Sequence, residues 1–216
     1  MKLTVKDYTK VIKGKVILDQ VNLTLSNGRI YGFYGRNGSG KTMLFRAICT
    51  LIMPTSGDVL IDDVSIIKEK YDLNNFGILI ETPNFYPYLS GYDNLDMLYR
   101  INHKKDKEHI EEILKKVDLY EAKDQKYKEY SLGMKQKLRI AQAIMENQQI
   151  IILDEPTNGL DEGSIKKLHQ LILDLKKQKK LVLLASHNQE DLNYLCDKIY
   201  YISNGKVSDQ KKGTTL

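Results

Sequence analysis

The chain has 216 residues, of which 42% are hydrophobic and 28% charged, a balance typical of one folded domain with a sizeable core. Its net charge of +5 is mildly basic, and the lysine clusters fall in helical patterns, where a solvated helix face is favoured over attraction to nucleic acid or an anionic membrane. The two cysteines show no CxxC spacing, which argues against a disulfide framework or a zinc site. No apolar run reaches the roughly 20 residues of a membrane helix, and the N-terminus lacks a signal peptide's apolar centre, so we expect a cytosolic chain.

The first third of the chain alternates between strand and helix patterns. Apolar and polar residues alternate near the N-terminus, which predicts antiparallel strands. Residues 29–35 form a buried strand pattern that leads into a glycine-rich turn, and a helix pattern runs from Lys41 to Leu51. Turn-forming residues at 54–57 end this helix, and a strand pair is predicted near residues 59–61 and 76–80.

The remainder of the chain is first helical and then mixed. Three-and-four spacing of apolar residues predicts helices throughout residues 93–147. Four consecutive apolar residues follow at 150–153, then a helix pattern at 164–175 and a second apolar run at 181–185. Apolar strands separated by a helix indicate a parallel sheet buried on both faces. We therefore predict an α/β fold with an inserted helical segment.

The glycine-rich turn carries the first chemical motif. Residues 35–42, Gly-Arg-Asn-Gly-Ser-Gly-Lys-Thr, match the Gly-x-x-x-x-Gly-Lys-Ser/Thr pattern between a predicted strand and helix. Glycines let successive N–H groups point inward and hold phosphate at the helix N-terminus. Lys41 is expected to reach the β- and γ-phosphates, and the Thr42 hydroxyl to bind Mg²⁺. The candidate phosphate-binding residues are Gly35, Arg36, Asn37, Gly38, Ser39, Gly40, Lys41, Thr42 and Met43.

Two carboxylates follow the apolar run at 150–153. Asp154 and Glu155 would lie at the carboxyl end of a parallel strand, beside the phosphate loop. Taken alone, this pattern is equally a core strand that runs into an acidic turn. Beside the loop, Asp154 is positioned to hold Mg²⁺ through its water shell, and Glu155 to polarise the attacking water as general base.

Further residues carry a resemblance to a known family. Asp154-Glu155-Pro156-Thr157-Asn158-Gly159-Leu160-Asp161 resembles the joined Walker B motif and D-loop of ATP-binding cassette (ABC) ATPases. Tyr130-Ser131-Leu132-Gly133-Met134-Lys135-Gln136-Lys137 is similar to the family signature, usually Leu-Ser-Gly-Gly-Gln, and retains Ser131 and Gly133. His187 matches the switch histidine that senses the γ-phosphate, although alone it would be read as a surface histidine. Asp161 either caps the next helix or communicates across a dimer interface.

The resemblance implies a P-loop NTPase core with a mostly parallel sheet and an N-terminal antiparallel β subdomain. It implies a single domain over 1–216, in which residues 1–86 and 148–216 form the core and residues 87–147 a helical subdomain that carries the signature. Dimers of such ATPases close on two ATP molecules, each held between one subunit's phosphate loop and the other's signature helix.

The implied partners are a membrane-spanning permease subunit on another chain and a second ATPase subunit, identical or related. The chain would then lie peripherally on the inner face of the cell membrane, and no nucleic acid is expected. A DNA-maintenance ATPase is the alternative. It is disfavoured because only about 90 residues, without sustained heptads, separate the phosphate loop from the signature.

Three positions depart from the common family pattern. Glu81 stands where most members have glutamine, and this glutamate resembles that of bacitracin-resistance and lantibiotic-immunity exporters. The carboxylate of Glu81 is expected to approach Mg²⁺ and the attacking water. Met43 replaces a hydroxyl residue, which leaves only its N–H for the α-phosphate. Ile12 aligns with the aromatic residue that stacks on adenine, so either Tyr8 moves in or the base is held by apolar contact alone.

Overall fold

The structure is a computed structural model that describes residues 1–69, 71, 73–81 and 85–209. Its strands are β1 (Lys2–Ile12), β2 (Lys15–Ser26), β3 (Ile30–Tyr34), β4 (Ser56–Ile61), β5 (Val64–Ser65), β6 (Phe76–Leu79), β7 (Ile150–Asp154), β8 (Leu181–Ser186), β9 (Lys198–Ser203) and β10 (Lys206–Ser208). Its α-helices are α1 (Lys41–Ile48), α2 (Gly91–Tyr99), α3 (Lys107–Lys116), α4 (Leu132–Ile144), α5 (Glu162–Lys177) and α6 (Gln189–Leu195). Short 3₁₀ turns span Leu73–Asn75, Tyr120–Ala122 and Tyr127–Glu129.

The N-terminal strands form an antiparallel sheet in the order β2-β1-β4-β5. Alternate residues of β1, such as Leu3 and Val5, are buried, as the period-two pattern predicts. The predicted strand pair near 59–61 and 76–80 is wrong, because β4 pairs with β1 and β5 whereas β6 pairs with β7 in the other sheet. The mostly buried sequence of β6 suits an edge of the parallel sheet that is covered by a helix.

The second sheet has the order β10-β9-β3-β8-β7-β6, and its strands are parallel except for β10. Alternate residues of β7 enter two different cores. Ile150 and Ile152 pack with α1 and the antiparallel sheet, whereas Ile151 and Leu153 pack with α4, α5 and α6. Since both faces are covered, the continuous apolar runs are explained, and the predicted α/β fold is confirmed.

Helices α2, α3 and α4 pack together around buried aliphatic residues, including Leu95, Ile110 and Leu138. Helix α4 also lies directly against the core sheet, since a Cβ atom at Gly77 of β6 would stand 1.8 Å from the carbonyl oxygen of Ala143. This close contact joins the helical segment to the strands that carry the candidate site.

The division into residues 1–86, 87–147 and 148–216 stays a prediction. No helix within the described ranges is long and apolar enough to cross a membrane.

Candidate functional site

The phosphate loop connects the end of β3 to the start of α1. Gly38 and Gly40 have φ angles of 78° and 112°, a region that side-chain-bearing residues rarely adopt. At Gly35 a side chain is excluded by lack of space rather than by the φ angle, because a Cβ atom there would lie 2.6 Å from the carbonyl oxygen of Ile202. The glycines are therefore required by this backbone path, and the predicted glycine-rich turn between strand and helix is confirmed.

Lys41 places its ammonium group inside this loop. The side chain is only 6% exposed, and Nζ donates a hydrogen bond to the carbonyl oxygen of Gly35 at 2.6 Å. Nζ also lies 3.6 Å from Oε1 of Glu155. A buried cation needs such partners, and this one stands at the first turn of α1, where the helix dipole also favours an anion. The loop therefore presents a concentrated positive charge.

Thr42 and Asp154 form a second polar pair beside the loop. The Thr42 hydroxyl donates to Oδ2 of Asp154 at 2.6 Å, whereas Oδ1 of Asp154 is buried without a hydrogen-bond partner. Burial raises the pKa of Asp154, and the Thr42 hydrogen bond offsets this only in part. The described residues hold no cluster of three or more His, Cys, Asp or Glu ligands. A hydroxyl and one open carboxylate oxygen fit Mg²⁺, which keeps several waters and takes its other ligands from phosphates.

Glu155 lies between Lys41 and His187. Its φ angle is 49°, unusual for a residue with a side chain, and its N–H donates to the carbonyl oxygen of Ala185 at 2.9 Å. Oε2 lies 2.8 Å from Nδ1 of His187 and accepts a hydrogen bond from the His187 N–H at 3.3 Å. The adjacent ends of β7 and β8 thus bring together a carboxylate, an imidazole and the loop lysine. Strained backbone of this kind is common at catalytic sites.

Glu81 lies at the edge of the same site. Its carboxylate forms an ion pair with Arg46 of α1 at 2.5 Å, and the side chain is largely exposed. In this arrangement Glu81 is held by the helix that follows the phosphate loop. The expected approach of Glu81 to Mg²⁺ stays a prediction, and residues 82–84 lie outside the described residues.

A cavity of about 860 Å³ joins these groups. Residues 36–43 of the phosphate loop line one end, with Glu81, Asp154 and Glu155 beside them. Residues 15–17 of the β1–β2 hairpin and residues 204–205 also line the cavity. This volume lies within the range of small-molecule sites, about 300–1,000 Å³. The cavity is therefore large enough for a nucleotide whose phosphates occupy the loop.

Of the two predicted adenine contacts, Tyr8 is contradicted by the structure, and Ile12 stays a prediction. Tyr8 is fully buried in the core, its hydroxyl donates to the carbonyl oxygen of Ile52 at 2.8 Å, and burial raises its pKa to about 12. Tyr8 therefore cannot stack on a base. Ile12 is 39% exposed but is not among the described residues that line the cavity, whereas Val16, 49% exposed, is. The sequence did not indicate that Val16 lines the cavity, because register shifts between β1 and β2 decide which residues of the hairpin face it.

Ser131 and Gly133 lie at the N-terminus of α4. Ser131 caps the helix, since its hydroxyl accepts a hydrogen bond from the N–H of Met134 at 3.2 Å, which confirms that the motif opens a helix. A Cβ atom at Gly133 would stand 3.1 Å from the carbonyl oxygen of Gly159, so the signature lies against the D-loop of the same chain. Neither Ser131 nor Gly133 is among the described residues that line the cavity.

Asp161 has the capping role that was one of its two interpretations. Its carboxylate accepts hydrogen bonds from the N–H and the hydroxyl of Ser164, both at 2.9 Å, and α5 begins at Glu162 rather than at Ser164. These bonds lower the pKa of Asp161. The role of Asp161 across a dimer interface stays a prediction.

Two residues of α4 to which the sequence analysis gave no role in the site, Gln136 and Arg139, also line the cavity. Nε2 of buried Gln136 donates to the carbonyl oxygens of Pro156 at 3.1 Å and Glu155 at 3.4 Å. Its Oε1 accepts a hydrogen bond from Nη1 of Arg139 at 3.2 Å. Gln136 thus fixes the backbone that follows Glu155. In the sequence, the one feature that could have indicated this role was a polar glutamine at a position on the buried face of a predicted helix.

The profile of the ABC transporter family matches residues 18–158. The chain belongs to the ABC transporter family. It is 37% identical to an uncharacterized ABC transporter ATP-binding protein of Bacillus subtilis, over 97% of this chain and 96% of the relative. It is 37% identical to the bacitracin transport ATP-binding protein of Bacillus licheniformis, over 94% and 67% of the two chains. It is 32% identical to the lantibiotic transport ATP-binding protein of Streptococcus pyogenes, over 97% and 90%.

Solved structures agree with this assignment. A dimeric bacterial ABC transporter cassette superimposes with a TM-score of 0.86 at 26% identity, over 95% of this chain and 96% of that chain. A post-hydrolysis cassette bound to ADP and Pi superimposes with a TM-score of 0.86 at 25% identity, over 97% and 98%. The prediction that the chain is the ATP-binding, ATP-hydrolysing subunit of an ABC system is confirmed.

Proposed function

We propose that this chain is the motor of an exporter for a peptide antibiotic, a drug or a similar compound, and that it powers a separate membrane-spanning subunit. The names of the bacitracin and lantibiotic relatives support export, and similarity over more than nine-tenths of the chain disfavours a DNA-maintenance role. The observation that carries the proposal is the arrangement of Lys41, Glu155 and His187 beside the phosphate loop. This arrangement is suited to hydrolysis of a bound triphosphate.

The catalytic roles follow from that geometry. Lys41 and the loop N–H groups bind the phosphates of ATP, while Glu155 accepts a proton from the water that attacks the γ-phosphorus. The bond from that phosphorus to the β,γ-bridging oxygen breaks, and ADP leaves with the bridging oxygen. His187, hydrogen-bonded to Glu155, orients the carboxylate and contacts the γ-phosphate. Mg²⁺, held by Thr42 and through water by Asp154, with Glu81 nearby, would neutralise phosphate charge.

A second ATPase subunit completes the site. The N–H groups at the start of α4 form a positive helix end, yet in a single chain they do not face the cavity. In the proposed closed dimer, Ser131 and Gly133 of one subunit bind the γ-phosphate held by the other, and Asp161 lies near the interface. The exposed side chain of Leu132 at this helix end is consistent with a surface that a partner covers.

The permease is proposed to bind residues 84–98, of which residue 84 lies outside the described residues. Tyr86 and Tyr88 are 58% and 72% exposed, large values for aromatic side chains. Their loop is well fixed, because buried Asn94 accepts a hydrogen bond from the N–H of Tyr86 and donates one to its carbonyl oxygen. Phe85, in contrast, is buried against Tyr127 and is a core residue. Binding there would place the chain peripherally on the inner face of the membrane.

The mechanism is tested with Glu155→Gln, by phosphate release and light scattering. We expect the variant to bind ATP, to hydrolyse it about 100-fold more slowly or worse, and to accumulate as a dimer. Glu162→Gln is the matched control, because Glu162 is an exposed glutamate at the start of α5. Normal hydrolysis by Glu155→Gln would show that Glu155 is not the base. Absence of any ATP-dependent dimer would point to a different ATPase as the pair.

The permease surface is tested by membrane retention of the chain in its native cells. The double variant Tyr86→Ser, Tyr88→Ser should leave the membrane fraction while keeping its ATPase activity. Tyr194→Ser, an equally exposed tyrosine on α6, is the control and should stay membrane-bound. Equal retention of all three proteins would contradict the assignment of this surface.

A further inference from the structure

A short series of hydrogen bonds connects α4 to the end of β7. It begins at Arg139, whose Nη1 donates to Oε1 of Gln136 at 3.2 Å, one turn earlier on the same helix. It continues from Nε2 of Gln136 to the carbonyl oxygens of Pro156 at 3.1 Å and Glu155 at 3.4 Å. An arginine of the helical segment is thereby connected to the backbone that carries the carboxylate beside Lys41.

The backbone at Glu155 needs support because its conformation is unfavourable. Its φ angle of 49° is left-handed, whereas a residue that precedes a proline favours extended backbone. Pro156 has no N–H group, so its backbone can be held only through the carbonyl oxygen that accepts from buried Gln136. The carbonyl oxygen of Glu155 accepts from Gln136 as well as from the N–H of Asn158 at 3.3 Å. Gln136 thus contacts both carbonyl groups that follow the Cα atom of Glu155.

The amide of Gln136 supports this turn in one orientation only. Its NH₂ group must face the two carbonyl oxygens, because a rotated amide would place its own oxygen against them. A guanidinium group carries donors and no acceptor, so Arg139 forms a hydrogen bond only when the amide oxygen faces it. Hydrogen bonds from a charged donor are also stronger than those between neutral groups. Arg139 therefore selects the orientation in which Gln136 holds the turn.

The charge of Arg139 is not used by an ion pair. The neighbouring carboxylates are paired with other cations, Glu155 with Lys41 and Glu81 with Arg46. Among the residues that the structure describes, no carboxylate forms an ion pair with Arg139, and its Nε atom is buried without a hydrogen-bond partner. A partly buried cation without a counter-charge costs stability, so a structural role alone explains its position poorly.

We propose that Arg139 is a positioning residue for ATP hydrolysis, on the basis of the proposed function, in which Glu155 is the general base. Arg139 fixes the amide of Gln136, and Gln136 fixes the turn that directs the carboxylate of Glu155. Because this action passes through the backbone of the base, it affects the hydrolytic step rather than the binding of ATP. Displacement of a catalytic group by about 1 Å costs on the order of 100-fold in rate, so a smaller displacement is sufficient here.

The test is steady-state ATP hydrolysis by the full chain and by Arg139→Met, which keeps most of the aliphatic stem but has no donor. We expect kcat to fall about tenfold, whereas KM for ATP should stay within about twofold of the native value. Arg100→Met is the matched control, because Arg100 is an exposed arginine of α2 that pairs with Asp96. The control should change neither parameter.

A double-mutant cycle shows whether Arg139 acts through Gln136. Gln136→Met should also lower kcat about tenfold, and the double variant should be no slower than Gln136→Met alone, since both substitutions break the same series of bonds. Independent actions would multiply to about 100-fold. Gln136→Glu tests the same connection if Arg139→Met does not fold. Its carboxylate still accepts from Arg139 but has no donor for the two carbonyl oxygens, so kcat should again fall about tenfold.

Three results would overturn the inference: an unchanged kcat in Arg139→Met or Gln136→Glu, multiplied losses in the double variant, or a rise in KM without a change in kcat. The last result would make Arg139 a ligand of the phosphates instead. All three leave the proposed function intact. Failure of the native chain to hydrolyse ATP, or normal hydrolysis by Glu155→Gln, would overturn the proposed function and this inference together.

Discussion

Two parts of the cavity lining are built in opposite ways: the phosphate end, at residues 36–43 with Asp154 and Glu155, and the hairpin end, at residues 15–17. At the phosphate end, Lys41 and Asp154 are held by short hydrogen bonds, and Glu155 has a left-handed backbone. At the hairpin end, Lys15 and Val16 lie exposed. A buried polar group that loses its hydrogen-bond partner costs free energy, so only a few residue types are tolerated at the phosphate end. An exposed hairpin is under no such constraint, and substitutions there should change ligand binding less.

The largest expected contrast comes from one lysine at each end. Lys41→Ala removes a buried cation from the phosphates, so the dissociation constant for ATP should rise on the order of 100-fold. Lys15→Ala removes an exposed cation, whose contribution is screened by solvent, and the constant should rise less than about threefold. Calorimetric titration with the ATP analogue measures both. Equal effects of the two substitutions would remove the distinction between the two ends.

A second contrast uses two glycines that occupy equivalent turn positions. Gly205 and Gly14 have φ angles of 73° and 76°, so alanine costs about 1 kcal/mol of backbone strain at either site. A Cβ atom at Gly205 would stand 2.2 Å from the carbonyl oxygen of Ile17, whereas at Gly14 no atom lies within 4 Å. Gly205→Ala should therefore lower the free energy of unfolding by about 2 kcal/mol more than Gly14→Ala.

Urea denaturation gives both of these values, and ATP binding gives a further test. Because Gly205 contacts the phosphate loop through Ser39, only Gly205→Ala should also weaken ATP binding. If both variants lose equal stability, the turn at 204–205 is able to move away from β2, and this turn is less firmly fixed than its hydrogen bonds indicate.

Sequence patterns predicted the phosphate end well because its chemistry leaves little choice. The loop glycines, Lys41, Asp154 and Glu155 all have roles that depend on residue type and local order along the chain, and the structure brings them together as expected. The helix that the signature opens was predictable for the same reason, since Ser131 is a strong N-cap residue.

The hairpin end was not predictable because it depends on contacts between distant segments. Tyr8 is buried in the core, where its hydroxyl donates to the carbonyl oxygen of Ile52, and the position of Val16 depends on register shifts within the β1–β2 pair. The pairing of β6 with β7 likewise joins residues more than 70 positions apart. Residue type carries little information about such arrangements, which are decided by packing and strand register.

The smallest expected effect on stability concerns the carboxylate of Asp154, and it tests whether the phosphate end is built for function rather than stability. Burial raises the pKa of Asp154, so the folded state holds this proton more tightly than the unfolded state. The native chain should therefore lose stability as pH rises from about 4 through the raised pKa.

Asp154→Asn removes this cost while keeping an oxygen to accept the Thr42 hydrogen bond. At pH 7 we expect the variant to unfold at higher urea concentration, with a gain of about 1 kcal/mol that disappears at acidic pH, and to lose ATP hydrolysis. Asp174→Asn should give no gain, because hydrogen bonds from Lys177 lower the pKa of that exposed carboxyl. A stability loss in Asp154→Asn at pH 7 would mean that the ionised carboxylate stabilises the nucleotide-free fold. The phosphate end would then not sacrifice stability of the free protein for ligand binding.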